Sequence, residues 1–313
     1  MSGITVQAPG LLTTVQDLGR EGFGPMGVSP SGAADPVSLR IGNRLVGNPE
    51  ATAALEMTLV GGAFTFEAPA LIALTGADFG ASIDRVPLPT WSSMEVQKGQ
   101  TVALGPSRSG ARAYLCIRGG IAVEPFLGSA STHVLSGLGG FQGRALRKGD
   151  RLEIGAASPL FRQSRLAPKM LERLQPRKVI RVTDGPQSEW FANSAWKIFC
   201  EGAFRVAEQS NRMGIRFEGP PIFLDSSREM ITEGVSLGAV QVPPSGQPII
   251  LFVEQQTTGG YPKIANVISA DVYSLGQLRP RDSIRFERIE MSAARSLLKE
   301  QEALLASKEL IQE

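Results

Sequence analysis

Most of the periodic signals in this 313-residue chain have a period of two, and glycine and proline separate the runs. Ile4-Thr5-Val6, Ala63-Phe64-Thr65-Phe66, Arg151-Leu152-Glu153-Ile154, Val179-Ile180-Arg181-Val182, Ile215-Arg216-Phe217 and Ile284-Arg285-Phe286 all alternate. That period matches the pleat of a strand with one face buried. Ala70-Leu71-Ile72-Ala73-Leu74, Tyr114-Leu115-Cys116-Ile117 and Ile249-Ile250-Leu251-Phe252-Val253 are continuously apolar and predict strands buried on both faces. With 35 Gly and 21 Pro spread along the whole chain, a coiled coil, a helical bundle and a disordered tail are excluded. The spacing predicts a mainly β protein of barrels or sandwiches.

Three helices are predicted. Asp35-Pro36 is an N-cap followed by proline at the first helical position, Val37, Ile41 and Leu45 share one face, and Gly47 closes the segment. Ser188 is expected to cap a second helix through Trp190, Phe191, Trp196 and Phe199, ending near Gly202. The third runs from Ser292 to about Gln312, and its stripe of Leu297, Leu298, Leu304, Leu305 and Leu310 either packs back on a barrel or docks a partner.

The chain also repeats itself. Leu146-Arg147-Lys148-Gly149-Asp150 through Ile154 aligns without gaps to Leu278-Arg279-Pro280-Arg281-Asp282 through Phe286, and Gly76–Leu88 aligns to Ser210–Ile222 at nearly the same offset. Tandem copies of one β-rich unit are the expectation, over 1–157 and 178–288. A linker at 158–177 and a C-terminal helix at 289–313 complete the expected organisation.

Basic residues number 32 and acidic residues 30, so the charge carries no footprint for nucleic acid or an anionic membrane. No stretch approaches the ~20 apolar residues of a membrane span, and Met1-Ser2-Gly3-Ile4 lacks a signal-peptide pattern. Cys116 and Cys200 are too few for a disulfide framework, which fits a cytoplasmic setting. His133 is the one histidine, so a Ser-His-Asp triad must use it or not exist; in Ser129-Ala130-Ser131-Thr132-His133-Val134 it reads as a loop residue, and no metal site is expected. Neither G-x-G-x-x-G nor G-x-x-x-x-G-K-[ST] occurs.

Four clusters are dense in polar residues and glycine. Thr13–Arg20 offers Gln16, Asp17 and Arg20; Asp17 and Arg20 either orient a polar substrate or pair to fix a loop. Asp78 closes Thr75-Gly76-Ala77-Asp78 at the end of a buried strand, in a cleft or as a turn cap. Ser136–Arg144 resembles an anion nest. The richest is Glu254-Gln255-Gln256-Thr257-Thr258-Gly259-Gly260-Tyr261-Pro262, directly after the most hydrophobic strand. A carboxylate, two amides, two hydroxyls and a Gly-Gly turn can hold an amide or urea-like group. Arg212, in Ser210-Asn211-Arg212-Met213-Gly214, offers a planar fork for a carboxylate or phosphate, and Gln241 a further contact.

Thr13-Thr14-Val15-Gln16-Asp17-Leu18-Gly19-Arg20, Leu74–Asp78, Leu138-Gly139-Gly140, Ser210–Gly214, Gln241-Val242-Pro243 and Gln256–Pro262 occur in an order that resembles the biotin-dependent carboxyltransferase, or allophanate hydrolase subunit 2, family. That family includes the C subunit of bacterial 5-oxoprolinase, the antagonist of a sporulation kinase inhibitor and a domain of urea amidolyase. The resemblance covers roughly 3–290 and implies two tandem cyclophilin-like β-barrels. It implies a partner of the allophanate hydrolase subunit 1 type sharing the active site, and a possible third 5-oxoprolinase subunit. Glu254 departs from the Asp often found there. No Met-Lys-Met biotinylation motif occurs, and Pro168-Lys169-Met170 does not match it.

A free-standing subunit of this kind implies ATP-driven opening of 5-oxoproline to glutamate. ATP is then a requirement of the complex, with nothing bound covalently here. The alternatives are a biotin-dependent carboxyltransferase acting on urea or a related amide, and a non-enzymatic antagonist of a kinase inhibitor. The expected roles follow. Thr257, Thr258, Gly259 and Gly260 stabilise an oxyanion, Asp17 or Glu254 moves a proton, and Arg212 holds a substrate carboxylate. Gln16, Arg20, Asp78, Gln241, Gln256 and Tyr261 complete the substrate site.

Overall fold

The computed structural model describes residues 2–157, 163–225 and 230–312. The chain separates into two compact units, one of Met1–Arg20, Ser31–Leu174 and Leu305–Glu313, the other of Glu21–Pro30 and Gln175–Leu304. These limits depart from the expected 1–157 and 178–288 at three places. Residues 158–162 of the expected linker lie outside the described residues. The remainder is structured: Arg165–Leu166 is a strand, and Pro168, at the first helical position, opens the helix Pro168–Arg173. The chain end returns to the first unit because Ile311–Gln312 pairs with Arg165–Leu166. The segment Glu21–Pro30 belongs with the second unit.

The first unit wraps two antiparallel sheets around one core. The seven-stranded sheet has the order Ile121–Ala122, Arg151–Ile154, Gly3–Ala8, Ala63–Phe66, Thr101–Ala103, Ser82–Ile83, Val86–Pro87. The five-stranded sheet has the order Leu12–Gln16, Ala54–Thr58, Ser109–Ile117, Ala70–Asp78, Ser93–Val96. The alternating strands turn Ile4, Val6, Phe64, Phe66 and Leu152 inward, where they meet Leu55, Ile72, Leu74, Leu115 and Ile117 of the other sheet. The second unit closes into a seven-stranded barrel in the order Val179–Asp184, Lys263–Val267, Ala239–Gln241, Ile249–Leu251, Gly214–Glu218, Phe204–Val206, Ser283–Arg288. Phe286 is its packing centre, stacked on Phe199 at 4.2 Å and edge-on to Phe217 at 5.9 Å.

The first predicted repeat is a structural one. Gly149 sits at φ +89° and Arg281 at φ +73°, and both turns are tied alike. Asp150 Oδ2 accepts from Arg147 N (2.7 Å) and Asp282 Oδ2 from Arg279 N (2.9 Å). Each turn then bonds a strand to its side: Val6 N donates to Asp150 O and Val206 N to Asp282 O, both at 2.9 Å. The second match does not hold. Gly214–Glu218 lies between Phe204–Val206 and Ile249–Leu251 as Ala63–Phe66 lies between Gly3–Ala8 and Thr101–Ala103. Phe66 N donates to Gln100 O (3.0 Å), and Phe217 N to Pro248 O (3.1 Å). The counterpart of Ser210–Ile222 is therefore the 63–66 strand and its approach, not Gly76–Leu88, whose likeness is one of composition.

Two of the predicted helices differ in extent. Ser188–Trp190 is a single 3₁₀ turn; Phe191 is extended because its ring goes to the core, and the α-helix starts afresh at Asn193 and runs to Glu201. The last helix, Met291–Ala306, stops where the Ser307 hydroxyl accepts from Glu309 N (3.1 Å) and turns the chain into a 3₁₀ segment. Its Ala294, Leu297 and Leu298 pack on Ile268 and Ala270. None of the helices among the described residues is long and apolar enough to cross a membrane.

The first helix, Pro36–Leu45, begins as its sequence requires: Asp35 Oδ1 accepts from Ser38 N (2.9 Å) and Oδ2 from Ser38 Oγ (2.6 Å). It lies close against the five-stranded sheet, where Thr75 Oγ1 donates to Ser38 O at 2.7 Å. Gly42 permits this approach. A Cβ there would stand 2.6 Å from Cys116 Sγ and 2.8 Å from Thr75 Oγ1. Although alanine favours a helix over glycine by about 1 kcal/mol, overpacking in a close-packed interior costs about 1–3 kcal/mol. Gly42→Ala is therefore expected to lower stability in a urea titration, and adding Cys116→Ala to restore part of the loss; a Gly42→Ala protein more stable than the parent refutes this packing.

Candidate functional site

The apolar strand Ile249–Leu251 runs on through buried Phe252 and Val253 and delivers Glu254 to the interior. Arg212 meets it there, Nε donating to Glu254 Oε1 at 2.5 Å, and Glu254 N donates to Arg212 O at 2.8 Å. The two side chains are only 5% and 3% exposed. Buried charges persist only when each compensates the other. The pair thus fixes the entrance to the loop, and the guanidinium expected to hold a substrate carboxylate is engaged by Glu254. A proton-transfer role for Glu254 would have to release that partner.

The loop itself is fastened at several points. Gln255 N donates to Phe252 O (2.9 Å), and the Gln255 side chain, with its amide oxygen accepting from Leu237 N (3.0 Å), is buried as an anchor. Thr258–Gly259 pairs with Glu233–Gly234, and Val235 N donates to Thr257 O at 3.1 Å, so this backbone is engaged in a ladder. Below it lies a group that sequence reading missed. Lys263, 2% exposed, sits with Nζ 2.5 Å from Glu233 Oε1, and Gln187 Nε2 donates to the same oxygen at 3.0 Å. The Lys263 ammonium, followed by the Gln187 amide, holds the Glu233 carboxyl below the usual carboxylate range. The signal was present in Pro262-Lys263-Ile264, a lysine inside an apolar strand.

A cavity of about 420 Å³ opens beside this loop on the second unit. Asn211 and Met213, the neighbours of Arg212, form one wall; Gln256 and Tyr261 form another; Arg216 and Gln241 contribute as well. Gln241 is 2% exposed, and among the described residues its Nε2 has no hydrogen-bond partner. Gly259 makes room for it: a Cβ there would lie 2.5 Å from Gln241 Nε2 and 2.9 Å from Gln256 Nε2. The two amide nitrogens thus meet beside Gly259, and a buried donor left unbonded costs roughly 1–3 kcal/mol. The size suits a small polar ligand. Gly260 and Tyr261 also edge an apolar groove with Phe223, Met230 and Pro262.

The remaining predicted residues belong to the first unit, where they build loops. The Asp17 carboxylate accepts from Gly19 N (2.8 Å), Ser129 Oγ (2.6 Å), Ser131 Oγ (2.5 Å) and Ala130 N (2.7 Å). Proton transfer there would break one of these bonds. Arg20 donates through Nη2 to Ser131 O and through Nε to Phe126 O (3.2 Å), fixing the same loop. Gln16 is fully buried, its Nε2 donating to Thr14 Oγ1 (2.9 Å) and Thr132 O (3.1 Å). Asp78 caps a turn, accepting from Gly80 N at 2.7 Å, beside Arg108 at 3.8 Å. His133 Nδ1 accepts from Ser136 N (3.1 Å).

The loop expected to be an anion nest is partly tied to itself. Gly143 N donates to Gly139 O, Leu138 N to His133 O, and Arg144 is held by Asp150 at 2.7 Å. Among the described residues no group of three or more His, Cys, Asp or Glu side chains is arranged to hold a metal ion.

Residues 26–288 match the family model described as carboxyltransferase domain, subdomain A and B. The chain is 40% identical over 285 residues to the 5-oxoprolinase C subunit of Escherichia coli, covering 91% of each chain. It is 37% identical to the 5-oxoprolinase C subunit of Haemophilus influenzae over 93% of each. The crystal structure of the K. lactis urea amidolyase superposes with a TM-score of 0.91 at 31% identity, covering 99% of this chain and 21% of that one.

The buried ion pair makes the loop's stability testable without any assay of activity. Glu254→Ala leaves the Arg212 charge buried and uncompensated, at a cost of about 3–5 kcal/mol. The double change Arg212→Met with Glu254→Leu is expected to recover most of it in the same denaturant titration. A loss below about 1 kcal/mol for Glu254→Ala would show the pair to be exchangeable with solvent.

Proposed function

The chain belongs to the family of carboxyltransferase domains with subdomains A and B, and we propose that within it this protein is the C-type component of a 5-oxoprolinase complex. The observation that carries this reading is likeness along the whole length: 40% identity with the E. coli 5-oxoprolinase C subunit spans 91% of both chains, whereas the chain corresponds to only 21% of the urea amidolyase it superposes on. The partner in this reading is a protein of the allophanate hydrolase subunit 1 type, with a third component completing the enzyme. The coupled reaction is hydrolysis of the 5-oxoproline lactam driven by ATP.

In that reaction water adds to the lactam carbonyl, the ring C–N bond breaks, and the nitrogen takes up a proton to give glutamate. The demand on the protein is polarisation of the carbonyl and stabilisation of the developing oxyanion. We place that role on Gln241 and Gln256, whose amide nitrogens converge beside Gly259. Thr257 and Thr258, on the adjoining strand edge, stand as further candidates. ATP is assigned to a partner protein, since neither glycine-rich nucleotide motif, G-x-G-x-x-G or G-x-x-x-x-G-K-[ST], occurs in this chain.

A second reading is favoured by the TM-score of 0.91 with urea amidolyase: transfer of a carboxyl group from biotin to a small amide. Convergent amide donors suit the ureido carbonyl of biotin as they suit a lactam. Biotin would then arrive on another protein.

One experiment separates the readings. The chain is co-purified with its subunit 1-type and third partners, and glutamate release from 5-oxoproline is followed with and without ATP and with and without biotinylated carrier. ATP-dependent release without biotin is expected; carboxylation of urea or an amide that needs biotin overturns the proposal in favour of the second reading. In the active complex, Gln241→Leu is expected to lower kcat by about 100-fold, the magnitude for one oxyanion donor. Gly259→Ala, which displaces both amides, should do the same.

A further inference from the structure

The Arg212–Glu254 pair leaves a question of recognition, because the lactam substrate proposed above carries a carboxylate at neutral pH. The barrel answers it with a different residue. Arg216 pairs in register with Ile249, Ile249 with Gln241, and Gln241 with Lys263. Side chains opposite one another across an antiparallel ladder share a face. Arg216, Ile249 and Gln241 therefore form a row on one face of the barrel wall, and all three line the 420 Å³ cavity. With strands about 4.8 Å apart, the backbones of Arg216 and Gln241 are about 10 Å apart, and the half-buried Ile249 lies between them.

The charges on this wall are few. Arg216 and Glu218 are the charged residues that line the cavity, and Glu218 lies 3.7 Å from Arg205. Among the described residues no carboxylate lies within ion-pair distance of the exposed Arg216 guanidinium. At the other end of the row stands Gln241, its buried Nε2 without a partner.

We infer that Arg216 is the specificity-determining residue for the substrate carboxylate, with Gln241 taking the lactam carbonyl and Ile249 flooring the ring between them. The inference rests on the lactam reading and deepens it: the ligand class is a small cyclic amide bearing an anionic group, held at one end by a guanidinium fork and at the other by an amide donor. A carboxylate presented to a guanidinium accepts paired, charge-assisted bonds that a neutral amide cannot match.

The test is equilibrium binding of 5-oxoproline and of its neutral carboxamide to the full chain, followed by calorimetry or ligand NMR. The parent protein is expected to bind the acid about tenfold more tightly than the carboxamide, the difference between charged and neutral hydrogen bonds. Arg216→Gln should abolish that preference while leaving carboxamide binding nearly unchanged. Arg205→Gln, which lies off the wall, should keep it. The inference is overturned if the acid preference survives Arg216→Gln, if the parent shows none, or if neither ligand binds. The two readings fail separately. A complex that binds the acid through Arg216 yet releases no glutamate sinks the 5-oxoprolinase assignment alone. An active complex whose acid preference ignores Arg216 sinks this inference alone.

Discussion

The register between neighbouring strands of the closed barrel governs what this protein can present to a ligand. Because side chains alternate faces, a slip of one residue between Gly214–Glu218 and Ile249–Leu251 would turn Arg216 inward and Ile215 and Phe217 outward. The pattern of that strand, buried at Gly214, Ile215 and Phe217 and exposed at Arg216 and Glu218, forbids the slip. The Phe199, Phe204, Phe217 and Phe286 cluster resists it from inside. The polar wall of the cavity is in this sense a by-product of the aromatic core: residues that pack the interior determine by parity which ones face the cavity.

Burial also decides which charges are available. Arg212 and Glu254 are committed to each other, and Lys263 is committed to Glu233, which reinforces the strand against which Gly259 is laid. In the first unit Tyr114 donates to Glu56 (2.6 Å) and accepts from Asp35 N (2.8 Å), and burial, followed by the neighbouring Glu56 and Asp35 carboxylates, pushes its hydroxyl well above the ordinary tyrosine range. Held in this way by their partners, these groups behave as fixtures. Uncommitted polar groups are then informative by contrast, and on the cavity wall they include the Gln241 amide nitrogen and the Arg216 guanidinium.

Much of this was legible in the chain. The period-two runs became strands, and the Asp35-Pro36 start became a capped helix, because both rest on local chemistry that tertiary contacts did not oppose. Gln241, Gln256 and Tyr261 were legible as parts of polar clusters, and the structure places these three on one cavity, which Thr257, Thr258, Gly259 and Gly260 do not line. Arg212 was not legible as a buried partner of Glu254, since nothing in Asn211-Arg212-Met213 tells whether a guanidinium turns in or out. Strand parity would place Arg212 on the face of the exposed Arg216, and it is the Glu254 carboxylate delivered beside it that draws the guanidinium in. Arg216 was overlooked for a related reason: within Ile215-Arg216-Phe217 it served only as a sign of alternation. Ser188 misled because a serine before an apolar run signals a cap, yet Phe191 gained more by reaching the core than by continuing a helix.

The composition of the cavity wall bears on how labour is divided in the proposed complex. Amides and a guanidinium orient and polarise a ligand, but neither exchanges protons near neutral pH. Lactam hydrolysis needs a base to deliver water and an acid for the leaving nitrogen. On this chain the nearest carboxylate in sequence to the amide loop, Glu254, is held by Arg212, and Glu218 stands beside Arg205. The proton-bearing side chains on the wall are the exposed Glu218 carboxyl and the Tyr261 phenol, at its rim. In the proposed complex, this chain's contribution is therefore orientation and polarisation, and the base that delivers water is assigned to a partner.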